Sequence, residues 1–127
     1  MVDSHRSNKE SAISFLTLVT DGKIREAYEK HAGSGFRHHN PYHAGDADSL
    51  RAGMEGADAQ FPKKAFRVQR ALEDGEFVAV HSHLTLQPGE LELAVVHLFR
   101  FQAGRIVEFW DVAQAVPKDS PNQYGMF

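Results

Sequence analysis

The sequence has no cysteine among its 127 residues. Disulfide staples, thiolate metal sites and cysteine nucleophiles are thereby excluded. Long apolar runs are missing as well; polar residues interrupt every stretch, so none is long enough to span a bilayer. The segment from Met1 to Asn8 is polar and lacks the apolar core of a signal peptide. Basic runs are absent too: Lys63-Lys64 is the only lysine pair and the net charge is -3, so neither nucleic acid nor a membrane surface is the expected partner. No glycine-rich phosphate loop and no Gly-x-Ser-x-Gly nucleophile motif occurs. The expected compartment is the cytoplasm, with which a cysteine-free chain is compatible.

What is present suits one folded unit. A 42% hydrophobic content over this length supports a single domain over residues 1–127 with its own core. Histidine is the unusual residue: there are eight, six of them within residues 37–43 and 81–97.

Helical periodicity comes first. Ala12, Phe15, Leu16 and Val19 share one face, with Ser7 and Glu10 placed as a capping box and Asp21-Gly22 as the stop. Ile24, Ala27, Tyr28 and His31 mark a second short helix, which Gly33-Ser34-Gly35 should end. Residues 36–41 read as extended, because Pro41 disfavours helix at Asn40. Asp46 or Asp48 can cap a third helix running to about Gln60, with Leu50, Met54, Ala57 and Phe61 on its apolar side. From Lys64 onward the period becomes two. Strands are expected over residues 65–72, 77–86, 91–101 and 105–116, joined by turns at Asp74-Gly75, Pro88-Gly89 and Ala103-Gly104. Helices followed by an antiparallel meander give an α+β fold in which a curved sheet closes on three N-terminal helices around a pocket.

Strand alternation selects the polar groups that point inward. Leu93, Val95, His97, Phe99 and Phe101 share a face, as do Val107, Phe109, Asp111 and Ala113. A two-residue turn at Ala103-Gly104 would set His97 opposite Trp110. A three-residue loop, Ala103 to Arg105, would set it opposite Asp111; that loop is preferred because it keeps both apolar rows on one face and Glu108 outside. A carboxylate in such a row has its pKa raised by burial and suits general acid–base work. In residues 77–86 the faces are ambiguous: Val78, Val80, Ser82, Leu84 and Leu86 look more like core, yet His81 and His83 stay open as pocket residues. His81-x-His83 falls short of the about three or four ligands a metal site needs, so no metal is expected. A metal-dependent enzyme using His39, His81 and His83 is the outlying alternative.

The motifs His39-Asn40-Pro41, Val78-Ala79-Val80-His81-Ser82-His83, Phe99-Arg100-Phe101, Gly104-Arg105-Ile106-Val107-Glu108-Phe109-Trp110-Asp111-Val112 and the Tyr124-Gly125-Met126-Phe127 end resemble the SnoaL-like polyketide cyclases of the nuclear transport factor 2-like superfamily, within them a subgroup described as aldol-condensation enzymes. The resemblance runs over nearly the whole chain. It implies a cone-shaped α+β fold, a homodimer formed through the sheet, and acid–base chemistry on a small carbonyl compound with no cofactor. Carried over residue by residue, Asp111 becomes the acid/base, with His97 and His39 as further catalytic residues. His81, His83, Phe99, Phe109, Trp110 and Tyr42 become substrate contacts. Phe109 stands where many relatives have histidine, and His97 where the closer subgroup is often acidic. The superfamily also holds isomerases, dehydratases, epoxide hydrolases and binding domains, so a small-molecule binding or sensing domain is the alternative.

Overall fold

Ser7 starts the first helix as expected. Its hydroxyl accepts from the Glu10 N–H, and the Glu10 carboxylate accepts from the Ser7 N–H. A computed structural model describes residues 6–127. Helix α1 (Asn8–Thr20) and helix α2 (Ile24–His31) lead into strand β1 (Ala32–His38). Helix α3 (Ala47–Gln60), capped by Asp46, follows, and then come the strands β2 (Ala65–Asp74), β3 (Phe77–Gln87), β4 (Leu91–Gln102) and β5 (Arg105–Ala115). The sheet order is β1-β5-β4-β3-β2. The four long strands pair antiparallel, and the short β1 adds in parallel to β5, so the sheet is mixed. Among the described residues no helix is long and apolar enough to cross a membrane.

Two local expectations are corrected. The glycines at 33–35 do not form a loop after α2; they lie inside β1. Gly33 sits so close to β5 that a Cβ there would stand 3.0 Å from the Cβ of Arg105, which favours glycine at this one position of the strand. The second correction concerns the last hairpin. Gln102 pairs with Arg105 around a two-residue turn, with Ala103 at φ 51 and Gly104 at φ 78, both left-handed as a type I′ turn requires. That turn alone would put Trp110 opposite His97. A β-bulge between Arg100 and Phe101 shifts the register: Phe101 faces Ile106, Arg100 faces Glu108, and Val107 is the extra residue. His97 therefore does pair with Asp111, through a bulge rather than a longer loop. Ile106 takes the inward place expected of Val107 and is completely buried.

The core is an aromatic stack between helices and sheet. Phe15 of α1 lies 5.3 Å from Tyr28 of α2, 6.2 Å from Phe99 and 6.0 Å from Phe109, in edge-to-face contacts. Phe36 of β1 stacks on Phe109 at 6.4 Å. Burying each such ring stabilises the fold by about 2–3 kcal/mol. The inner side of the sheet is thereby fixed: Phe36, Val78, Val80, Phe99, Phe101, Ile106 and Phe109 face the helices.

Candidate functional site

His97 projects from the inner side of β4 just beyond this stack. Its ring lies nearly parallel to Phe109 at 5.5 Å and edge-on to Phe66 at 6.1 Å. Beside it, α1, α3, the start of β2 and the end of β3 border an apolar cavity of about 130 Å³, lined by Leu16, Val19, Met54, Phe66 and Leu86 together with His97 and Lys64. Burial in this setting pushes the imidazole down to about 4, with the nearby Asp111 charge opposing. The ring is thus neutral at neutral pH. Its Nδ1 is enclosed and has no hydrogen-bond partner, and the same is true of Ser82 Oγ on the same face of the neighbouring strand; they are the two such side-chain atoms among the described residues. Leaving a buried polar atom unpaired costs about 1–3 kcal/mol; of the two residues, His97 borders the cavity.

Asp111 stands opposite His97, half-buried rather than sealed in an apolar wall. The Asn40 side-chain amide donates to both carboxylate oxygens, at 3.0 and 3.3 Å. Asn40 is itself fixed. Its Oδ1 accepts from the Tyr42 N–H at 2.9 Å, and its N–H donates to His38 Nδ1 at 3.0 Å. Since that nitrogen accepts, His38 carries its proton on Nε2 and donates to the Ala44 carbonyl at 2.6 Å. A chain of oriented groups, His38 to Asn40 to Asp111, holds the carboxylate in place. Asn40 and His38 are missing from the residues expected at the site. Strand parity contains the signal: Phe36 points inward, so His38 does too, and Asn40 continues the alternation.

The same parity removes His39. It points to the outer side of the sheet, where Nε2 meets Glu108 Oε2 at 2.6 Å and the ring stacks on Trp110 at 4.9 Å. Glu108 also accepts from Arg37 and Arg100. Its carboxyl is held well below the usual carboxylate range, at about 2, by the hydrogen bonds from Arg37, His39 and Arg100 against the cost of burial. His39 and Trp110, both expected at the site, therefore lie in an outer-face cluster with Glu108, on the opposite side of the sheet from His97. His81 and His83, whose face the alternation left open, also lie on the outer side, because Val78, Val80 and Ser82 take the inner positions of β3. On the outer side His83 meets Glu92 Oε1 at 2.6 Å, His81 contacts Arg70, and the C-terminal Phe127 ring stacks on His83 at 4.2 Å and on His81 at 6.0 Å. The tail thus packs across the sheet of its own chain.

Phe99 and Phe109 are fully buried and form the floor under His97 rather than a surface open to a ligand. The Tyr42 side chain projects into solvent, and only its N–H touches Asn40. Among the described residues no three His, Asp or Glu side chains converge as a metal-ligand set. His39 lies beside β5, two strands away from His81 and His83 on β3. Lys64 is a further cavity residue that no periodicity marks: its amine is nearly buried and paired with Asp58.

Comparison with known proteins agrees with this architecture. The sequence profile of the SnoaL-like domain matches residues 12–109. No curated protein sequence matches the chain. Among solved structures, IdmH from Streptomyces antibioticus is similar at a TM-score of 0.70 and 19% identity, over 85% of this chain and 92% of that one. A SnoaL-like polyketide cyclase from Agrobacterium tumefaciens has a TM-score of 0.70 and 11% identity, over 86% and 92%. A cystatin-fold protein from Novosphingobium aromaticivorans has a TM-score of 0.71 and 17% identity, over 84% and 98%. At such identities the likeness is one of fold.

Proposed function

The chain belongs to the SnoaL-like domain family, and on that premise we propose that it is a cofactor-independent enzyme moving a proton on a small carbonyl compound, in an aldol-type cyclisation, lyase or isomerase reaction. The observation that carries this reading is the cross-strand pair His97–Asp111, with a neutral, unpartnered imidazole at the wall of an apolar cavity. Asp111 takes the proton from the carbon next to the carbonyl, becoming a carboxylic acid, and later returns it. His97 donates a hydrogen bond to the carbonyl oxygen as it becomes an enolate. A neutral donor suits this role because it does not give up its proton to the bound carbonyl. Asn40 acts as a positioning residue by fixing both Asp111 oxygens.

The test is solvent exchange. In deuterated buffer the protein should accelerate replacement of the α-protons of small cyclic ketones, followed by proton NMR. Asp111→Asn should slow the catalysed exchange by about 10²–10⁴-fold. Full exchange in that variant refutes the assignment.

One observation favours a second reading, a binding or sensing domain without turnover: the apolar cavity reaches His97 but is not lined by Asp111. Saturable binding of an apolar carbonyl compound without exchange, and unchanged in Asp111→Asn, would select it. In either reading the whole chain acts as one cytoplasmic domain paired with a second copy through the outer sheet face. There Val96 and Val112 sit opposite each other and exposed, as an apolar patch that a partner would cover.

A further inference from the structure

Apart from the His97 cavity, the other end of the β4–β5 hairpin carries a hollow of about 440 Å³. Its walls are Arg6 and Ser11 at the start of α1, Lys30 and His31 at the end of α2, and the turn Ala103-Gly104-Arg105. We infer that this hollow is a binding site for a polyvalent oxyanion, either a phosphate group or a polycarboxylate carried by a small molecule.

Three observations support it. First, three cations line one hollow, with the Glu10 carboxylate as a nearby opposite charge to Arg6. Arg6, Lys30 and Arg105 make no ion pair among the described residues. Glu10, the carboxylate closest in sequence to Arg6 on α1, is committed to the Ser7 N–H at 2.9 Å and the Ser7 hydroxyl at 3.1 Å. Second, the convergence is registered by a buried probe. His31 is 3% exposed and bonded through Nε2 to Ser14 at 2.8 Å; burial first, and then the charges of Arg6, Lys30 and Arg105, push it down to about 4. Side chains from three separate elements therefore act on one point. Third, the cations are only partly explained by helix ends. Arg105 donates to the Glu29 and Ala32 carbonyls at 2.9 and 3.2 Å, and Lys30 lies in the last turn of α2, where positive charge is favourable. Arg6 stands at the opposite kind of end, just before the N-cap of α1, where a cation opposes the helix dipole. An anion in the hollow would relieve that repulsion and gain from all three cations at once.

Arg105 is held by two carbonyls and so presents its fork from a fixed place, whereas Lys30 and Arg6 are free to close on a ligand. The experiment titrates the full chain separately with inorganic phosphate and with citrate, each against chloride at equal ionic strength, with backbone amide NMR shifts as readout. Saturable shifts gathered at Arg6, Lys30, His31 and Arg105 are expected for at least one anion. Phosphate alone identifies a phosphoryl ligand, citrate alone a polycarboxylate. Lys30→Glu and, independently, Arg6→Glu should each weaken binding by about tenfold or more, because each turns an attraction into a repulsion. Both positions are away from the aromatic core, and the far-UV circular dichroism of each variant reports whether the fold is kept; either folded variant suffices for the test. Shifts no larger than those from chloride, or affinity unchanged in the folded variants, overturn the inference. The ketone exchange of the His97 cavity is independent of either outcome.

Discussion

Replacing His97 with phenylalanine is expected to stabilise the protein and to remove part of its sensitivity to acid. In the folded chain the imidazole is pushed down to about 4 by burial, against an ordinary value of 6.5. Between those two values the unfolded chain binds more protons than the folded one, so stability rises with pH across the window. The contribution is complete above 6.5 and is lost as the pH falls towards 4. At most it amounts to about 3 kcal/mol, less in so far as solvent reaches the ring edge. His31, also pushed down to about 4, adds a parallel loss that the substitution leaves in place. Phenylalanine takes up no proton and has no unpartnered nitrogen, whose removal should return about 1–3 kcal/mol. Urea unfolding, followed by fluorescence at a series of pH values across this window, measures both effects. The variant should have the higher midpoint at neutral pH and a shallower decline towards acid, and it should lose the ketone exchange. An acid decline as steep as that of the unsubstituted protein would refute the burial argument.

Other outcomes follow from the same geometry. Phe15→Ala removes the ring on which Tyr28, Phe99 and Phe109 converge, and should cost about 3–5 kcal/mol in chemical denaturation. Val112→Glu places a charge beside the exposed Val96–Val112 patch; sedimentation should show a dimer for the unsubstituted chain and a monomer for the variant, with unfolding midpoint measured alongside to separate assembly from folding.

Much of the fold was legible because its signals are local. Ser7 with Glu10, Asp46 before α3 and the glycine turns each act within a few residues, and the elements begin and end close to where these predict. The inner row of β4 was legible too, since His97 interrupts an apolar alternation. The glycines at 33 and 35 look like a loop signal in sequence, but Gly33 answers to the near approach of Arg105 on β5, and Gly35 to a left-handed φ of 76 within the strand. Alternation sends His39 and Trp110 outward, where Glu108 collects His39 together with two arginines. Within the His39-Asn40-Pro41 motif it is Asn40 that reaches Asp111.

By itself, then, the sequence determined the helix boundaries, the four long strands and the presence of two polar residues in apolar rows, because caps, turns and periodicity depend on contacts between near neighbours. Only the tertiary structure decided which of those residues meet. The bulge at Val107 offsets a two-residue turn and so brings His97 to Asp111. Addition of β1 to the sheet edge delivers Asn40 to the carboxylate and His39 to the other side. The closed hairpin sets Arg105 beside Arg6 and Lys30. Register and edge pairing are set by packing between distant segments, and a shift of one residue exchanges the two faces of a strand.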